Sequence, residues 1–245
     1  MRLKLFALFL VVSSFPIRGA DVPVFKTPEE LMHAFAERMG EGDYGGAMEL
    51  FDYEQRVANY DFVRMAERLK SLNFMVMAPS DYPGMAALNR AQQMNAASRQ
   101  LLMFVYSMLL PEEFHPLLSM KPLVAQDDAA EKATRLVEAI HPDNLRGLKV
   151  AKMFLVKPDI QNSERYLENV KRNAAIFGFS DAKEYMVFYG LGDETYVGAV
   201  SVSRYDGWRI AGLYSNLAGT PSVGGVMKVE GEGVDLEKLH QELGQ

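Results

Sequence analysis

The 245-residue chain has no cysteine. No disulfide staple is therefore available, and no lipid-modified N-terminal cysteine can tether the protein to a membrane. No Asn-x-Ser/Thr glycosylation acceptor occurs. No apolar run reaches the roughly 20 residues needed to span a bilayer. Basic charge is also short, with 26 Lys and Arg against 32 Asp and Glu, which argues against a nucleic-acid partner. Internal repeats and low-complexity tracts are missing. The composition, 49% hydrophobic and 24% charged, is that of a globular protein rather than a disordered or fibrous one.

The opening residues, MRLKLFALFLVVSSFPIRGA, set Arg2 and Lys4 before an apolar run from Leu5 to Val12, followed by small residues. Residues 1–20 therefore read as a secretory signal peptide. Its removal leaves 23 basic and 32 acidic side chains and a formal charge of −9. An exported protein, periplasmic or secreted after cleavage and bacterial in character, is expected. Without disulfides its stability must come from a packed core, and about 225 residues suffice to build one.

Thr27-Pro28-Glu29-Glu30 combines a capping threonine, a proline at the first helical position and a glutamate three residues on, so a helix is expected here. Asp43 starts a second helix through Phe51. Helical periodicity continues from Tyr53 to Leu110, broken at Pro79, Pro83 and Gly84, and another helix is predicted from Asp128 to Ile140. A strand is expected at Leu148 to Val156 and a helix at Ser163 to Phe177. Three strands follow, at Glu184 to Tyr189, Thr195 to Ser203 and Trp208 to Ser215. Residues 21–219 read as a single α+β domain with a helical insertion at about 53–141, and residues 220–245 as a peripheral tail ending in a weak helix at Leu236 to Leu243. The fold class is α+β, with N-terminal helices packed on a curved antiparallel sheet.

Two segments carry a family resemblance. TPEELMHAFAERMGEGDYGGAMELFD resembles the opening helical hairpin of the NTF2-like (SnoaL and ketosteroid-isomerase-like) superfamily. EYMVFYGLGDETYVGAVSVSRYDGWRIAGLYS is similar to that superfamily's last strands, where a hairpin precedes a G-W-[RK]-I motif, here Gly207, Trp208, Arg209 and Ile210. The resemblance implies a cone-shaped pocket between helices and sheet, with the extra helical region either filling or lidding it.

A two-residue Asp206-Gly207 turn, which would need positive φ at both positions, pairs Tyr205 with Trp208, Ser203 with Ile210, Ser201 with Gly212 and Ala199 with Tyr214. One face then presents Tyr205, Trp208, Ile210 and Tyr214 around small Ser201, a candidate ligand-binding surface unless a helix fills it. The opposite face would be plain core, with Val200, Val202, Ala211 and Leu213. His33, His115, His141 and His240 lack metal-ligand spacing, so no metal is expected. The methionines concentrated in the helical insertion (Met75, Met77, Met85, Met94, Met103, Met108 and Met120) raise copper binding, but their irregular spacing favours core filling. Tyr185, Tyr189, Tyr196 and Tyr214 offer hydrogen-bond donors with no acid evident among them, and no G-x-S-x-G motif is present. No cofactor is implied. The function expected is non-catalytic binding of a small apolar molecule or a protein partner. The alternatives are an NTF2-like acid/base enzyme and a cell-envelope assembly component.

Overall fold

The computed structural model describes residues 23–70, 77–119, 121, 128–219 and 223–229. The expected signal peptide, the helix at Leu236 to Leu243, Met75, Met120 and His240 lie outside them. Helix α1 (Pro28–Gly40) begins as the sequence predicts: the Thr27 side chain accepts from Glu30 N at 3.1 Å, and Pro28 opens the first turn. In α2 (Tyr44–Glu49), Asp43 Oδ1 accepts from Gly46 N at 2.9 Å. Two short helices, α3 (Tyr53–Ala58) and α4 (Phe62–Leu69), precede the long α5 (Pro83–Leu109). The last turns of α5 bury Leu101, Phe104, Val105 and Met108, matching its apolar C-terminal half. Helix α6 (Ala129–Ala139) buries no residue and is tied down by an Arg135–Glu113 ion pair at 3.1 Å.

Strand β1 (Lys149–Leu155) is followed by α7 (Pro158–Gln161) and α8 (Glu164–Phe177), then β2 (Asp181–Leu191), β3 (Glu194–Arg204) and β4 (Trp208–Gly212). The strands form an antiparallel sheet in the order β1-β2-β3-β4. The architecture is therefore the α+β class, a curved antiparallel sheet packed by helices. A short β5 (Met227–Lys228) pairs with β3 at Tyr196 and Val197, and Val226 beside it is buried in the core. Met227 and Lys228, expected to belong to a peripheral tail, thus enter the sheet.

Because side chains alternate along a strand, the sheet has two distinct faces. The inner face carries Val150, Val187, Tyr189, Val200, Val202, Trp208 and Ile210, packed against Leu31, Phe35 and Met39 of α1 and Leu101 and Phe104 of α5. A chain of edge-to-face rings, Phe35 to Phe104 at 5.3 Å and Phe104 to Tyr189 at 5.2 Å, spans the space between helices and sheet. The outer face has a smaller apolar cluster of Val156, Met186, Phe188 and Val197. A third cluster, with Val57, Tyr60, Met77, Ile176, Phe177 and Phe179, joins α3, α4 and α8. The helical insertion therefore supplies both filler for the main core, through α5, and part of a second core. Met77 and Met108 are buried there as core residues, whereas Met85 is exposed.

The β3–β4 hairpin departs from expectation. Arg204 pairs with Trp208, Ser203 with Arg209 and Val202 with Ile210, so the loop has three residues, not two. A bulge then inserts Ala211 and restores Ser201 opposite Gly212, the one expected pair that forms. Gly207 does not take positive φ. It is needed because a Cβ there would lie 2.9–3.0 Å from Val24 and the Phe25 backbone, which crosses the hairpin and accepts from Trp208 N at 3.0 Å. The two-residue turn is instead at Gly192-Asp193, between paired Leu191 and Glu194, with Gly192 at φ +58°. Positive φ at the first central position alone is the type II′ pattern.

Candidate functional site

The altered register separates the residues expected to share one ligand-binding face. Trp208 and Ile210 point inward with Val200 and Val202 and are buried under α1; Trp208 is 7% exposed and Ile210 fully buried. Ser201 lies on the outer face, where its Oγ donates to Tyr214 O at 2.7 Å. Tyr214 lies beyond β4, with its ring seated so closely on Gly212 that a Cβ there would be 2.2 Å away. Tyr205 is half-buried in the hairpin loop against the Phe179 ring. The five residues therefore form no common surface. The expected split into a ligand face and a core face is replaced by a core face containing Trp208, Ile210, Val200 and Val202 and an outer face containing Ser201 and Ser203. The physical cause is the three-residue loop: one extra residue reverses which side Trp208, Arg209 and Ile210 occupy, until the bulge at Ala211 restores the pairing.

The outer face gathers polar groups that the sequence keeps far apart. Between α2 and α3 the chain runs beside β4: Ile210 N donates to Leu50 O, Asp52 N donates to Ile210 O, both at 2.9 Å, and Phe51 bridges Ile210 in parallel. Phe51 is thus outside the helix expected to hold it. This pairing delivers Asp52 to the sheet, where it is 3% exposed. Its Oδ2 accepts from Ser203 Oγ at 2.8 Å and lies 3.5 Å from the Tyr205 hydroxyl. One helical turn on, Arg56 Nε is 3.6 Å from the same oxygen, while its guanidinium carbon lies 4.7 Å from the Phe177 ring centre. Burial opposes the charge of Arg56, but Asp52, Tyr205 and Tyr214 together outweigh it and hold its pKa above the ordinary value. Burial first, and Asp52 second, push the Tyr205 phenol up.

A second buried carboxylate lies along the same face. Glu184, 8% exposed and opposite Ser201, accepts from the Tyr166 hydroxyl at 3.2 Å through Oε1. Its Oε2 accepts from Ser215 Oγ at 2.6 Å and Leu217 N at 3.1 Å. Buried Gln161 locks the adjoining backbone, donating to Val156 O and Glu184 O and accepting from Glu184 N. This network ties β2 to α7, α8 and the segment after β4. Donors from the fold itself hold both oxygens of Glu184 and Oδ2 of Asp52.

Of the tyrosines considered as donors, Tyr189 is fully engulfed and burial alone raises its pKa. Tyr196 donates towards Met108 O and Glu194. Tyr185 is half-buried with its pKa pushed up to about 12, chiefly by burial. Among the described histidines, the His115 ring contacts Leu110 O at 3.1 Å, and His141 Nδ1 accepts from Asp143 N at 3.3 Å, capping the turn Pro142–Leu145. No group of three or more metal-ligating His, Cys, Asp or Glu occurs among the described residues.

A groove of about 460 Å³ lies at the other end of the sheet, between α1 and the start of β1. It is lined by His33, Glu37 and Glu41 on one side and Arg146 and Lys149 on the other. All five are exposed. The groove is remote in topology from Asp52, which sits beside the opposite edge strand, β4.

Asp52, Arg56 and Glu184 carried no functional signal in the sequence beyond the i, i+4 spacing of the first two, which marks a local ion pair on any helix. Their convergence with Ser203 and Tyr205 is tertiary. No family model matches the chain, and no match to a curated protein is found. Among solved structures, the crystal structure of a cystatin-like protein from Ruminococcus gnavus ATCC 29149 is similar at a TM-score of 0.50 and 18% identity, over 84% of this chain. The match spans 45% of that protein's length. At this identity the likeness concerns the fold, and it fits the α+β class read from the sequence.

Proposed function

We propose that this is an exported, non-catalytic binding protein of the NTF2-like superfamily that engages a protein partner through its outer surface, rather than enclosing a small apolar molecule. The observation that carries this reading is the ring chain Phe35–Phe104–Tyr189, which occupies the space between helices and sheet where a ligand of such a fold would sit. The donors of the fold that occupy both oxygens of Glu184 and Oδ2 of Asp52 favour the non-catalytic reading over the acid/base enzyme. The helical region leaves large apolar side chains in solvent, with Val63 and Leu69 on α4, Tyr82 at the cap of α5, and Met85 and Leu88 on its first turns. Such side chains suit a protein contact. Export rests on the character of residues 1–20, and no described helix is long and apolar enough to cross a membrane.

Native mass spectrometry of the protein recovered from its own periplasm or medium tests the first half of this reading: no excess of small-molecule size over the denatured mass is expected. A small-molecule excess lost on denaturation would restore the small-ligand reading. A photo-crosslinking residue at Leu88 tests the second half. A discrete adduct is expected there and not at Arg172 on α8, and it disappears when Val63 is changed to Glu. No adduct, or equal adducts at both positions, would remove the partner reading.

A further inference from the structure

Arg56 is held in place without using its hydrogen-bonding capacity. Its side chain is 24% exposed, its Nε is buried with no hydrogen-bond partner, and it engages Asp52 only as an ion pair at 3.6 Å. A guanidinium offers five donors in a planar fork. Here the plane is supported by Phe177, whose ring also stacks with Tyr60 at 5.8 Å, and the buried Tyr60 hydroxyl likewise lacks a partner. The Tyr205 hydroxyl lies 3.5 Å from Asp52 Oδ2, the same oxygen that faces Arg56. Tyr205 and Arg56 are both partly open to solvent, whereas Asp52 and Phe177 are buried beneath. The arrangement is a seated, partly desolvated cation with unused donors and a hydroxyl group beside it.

We infer that Arg56, supported by Phe177 and flanked by the hydroxyl of Tyr205, is a binding site for a carboxylate. A carboxylate matches the guanidinium fork, and charge-assisted bonds of this kind are the strong ones. Asp52 already balances the charge of Arg56, so a singly charged guest adds one negative charge near Asp52, while a phosphate dianion adds two. The pairing with Asp52 thereby selects carboxylate over phosphate. A free organic acid and an acidic side chain of a peptide both carry this group, and the site chemistry is the same. This inference is independent of how the exposed α4 and α5 residues are used.

The test follows the Arg56 Nε–H resonance and the backbone amides of Val57, Phe177 and Tyr205 by NMR. The probes are sodium acetate, inorganic phosphate and the capped tripeptide acetyl-Gly-Asp-Gly-amide. Acetate and peptide are expected to give saturable shifts. Arg56→Gln should weaken binding about tenfold or more, as expected for loss of a charged donor. Because Arg56→Gln also strips Asp52 of its cation, Tyr205→Phe serves as the second variant: it keeps the ring and the ion pair and should weaken binding about threefold by removing one hydroxyl. Tighter binding of the peptide than of acetate would identify an acidic side chain as the guest, and the reverse a free acid; the site stands in both cases. Shifts that stay linear, or that survive unchanged in Arg56→Gln, would overturn the site. Phosphate binding more tightly than acetate would overturn the assignment to carboxylate.

Discussion

The two faces of the sheet are buried by different means. On the inner face, Val187, Val200, Val202 and Ile210 are covered by apolar side chains of α1 and α5. On the outer face, Asp52, Glu184, Ser203 and Ser215 are buried as polar groups and joined by hydrogen bonds, Ser203 to Asp52 and Ser215 to Glu184. Apolar burial contributes about 25 cal/mol per Å² whatever the exact geometry. A hydrogen bond contributes a net of only about 1 kcal/mol, yet leaving a buried partner unpaired costs about 1–3 kcal/mol. The inner face therefore supplies most of the stability, and the outer face fixes where α3, α8 and the segment after β4 must dock. A binding residue such as Arg56 can be positioned on the second kind of surface because its neighbours tolerate only one arrangement.

The comparison can be broken most directly at Phe104. Phe104→Ala removes the middle ring of the inner stack and should cost about 3–5 kcal/mol in urea unfolding; a loss under about 1 kcal/mol would mean that the inner face does not dominate. Trp208→Ala belongs with it, and a fully stable Trp208→Ala protein would contradict its place in the core. Next is Glu184→Ala, which leaves Tyr166, Ser215 and Leu217 N without their acceptor and should cost about 2–3 kcal/mol. Glu184→Gln, which keeps most of the shape, should recover about half of that loss; equal losses would show that packing rather than hydrogen bonding governs the outer face.

A pH titration sharpens the contrast further. The phenol of Tyr185 on the inner face has its pKa pushed up to about 12 from an ordinary value of 10.0, mainly by burial. The unfolded chain releases this proton first, so the contribution is complete below pH 10.0 and is lost as pH rises towards 12. Stability should fall across that window, less steeply in Tyr185→Phe; an identical slope would remove Tyr185 as a contributor. The smallest effect lies away from both faces. Asp43→Ala removes the cap on Gly46 N and the 3.0 Å ion pair with Arg38 and should cost about 1 kcal/mol, with the sheet unchanged by circular dichroism.

Much of the fold was legible along the chain. Thr27, Asp43 and Ser163 cap helices where their spacing indicates, and the strands lie where β-branched and aromatic residues cluster. The hairpins were less legible. Asp206-Gly207 reads as a two-residue turn, but the two-residue connection with positive φ at its glycine forms instead at Gly192-Asp193. The first glycine answers to a backbone crossing from Phe25, which lies 182 positions earlier in the numbering and leaves no local trace. The candidate site was least legible, since Ser203 Oγ and Asp52 Oδ2 meet across a separation of 151 residues.

The sequence by itself determined the α+β class, the order of elements and most helix starts, because caps, apolar periodicity and β-propensity act within a few residues. Only the tertiary structure decided which side of the sheet Trp208, Ile210 and Ser201 occupy. A strand alternates with a period of two, so the three-residue loop at 205–207 and the bulge at Ala211 each shift the alternation by one. It also decided that Asp52 and Arg56 meet Tyr205. That meeting depends on the chain after α2 pairing with the edge of β4, a contact whose two partners are specified in distant parts of the sequence.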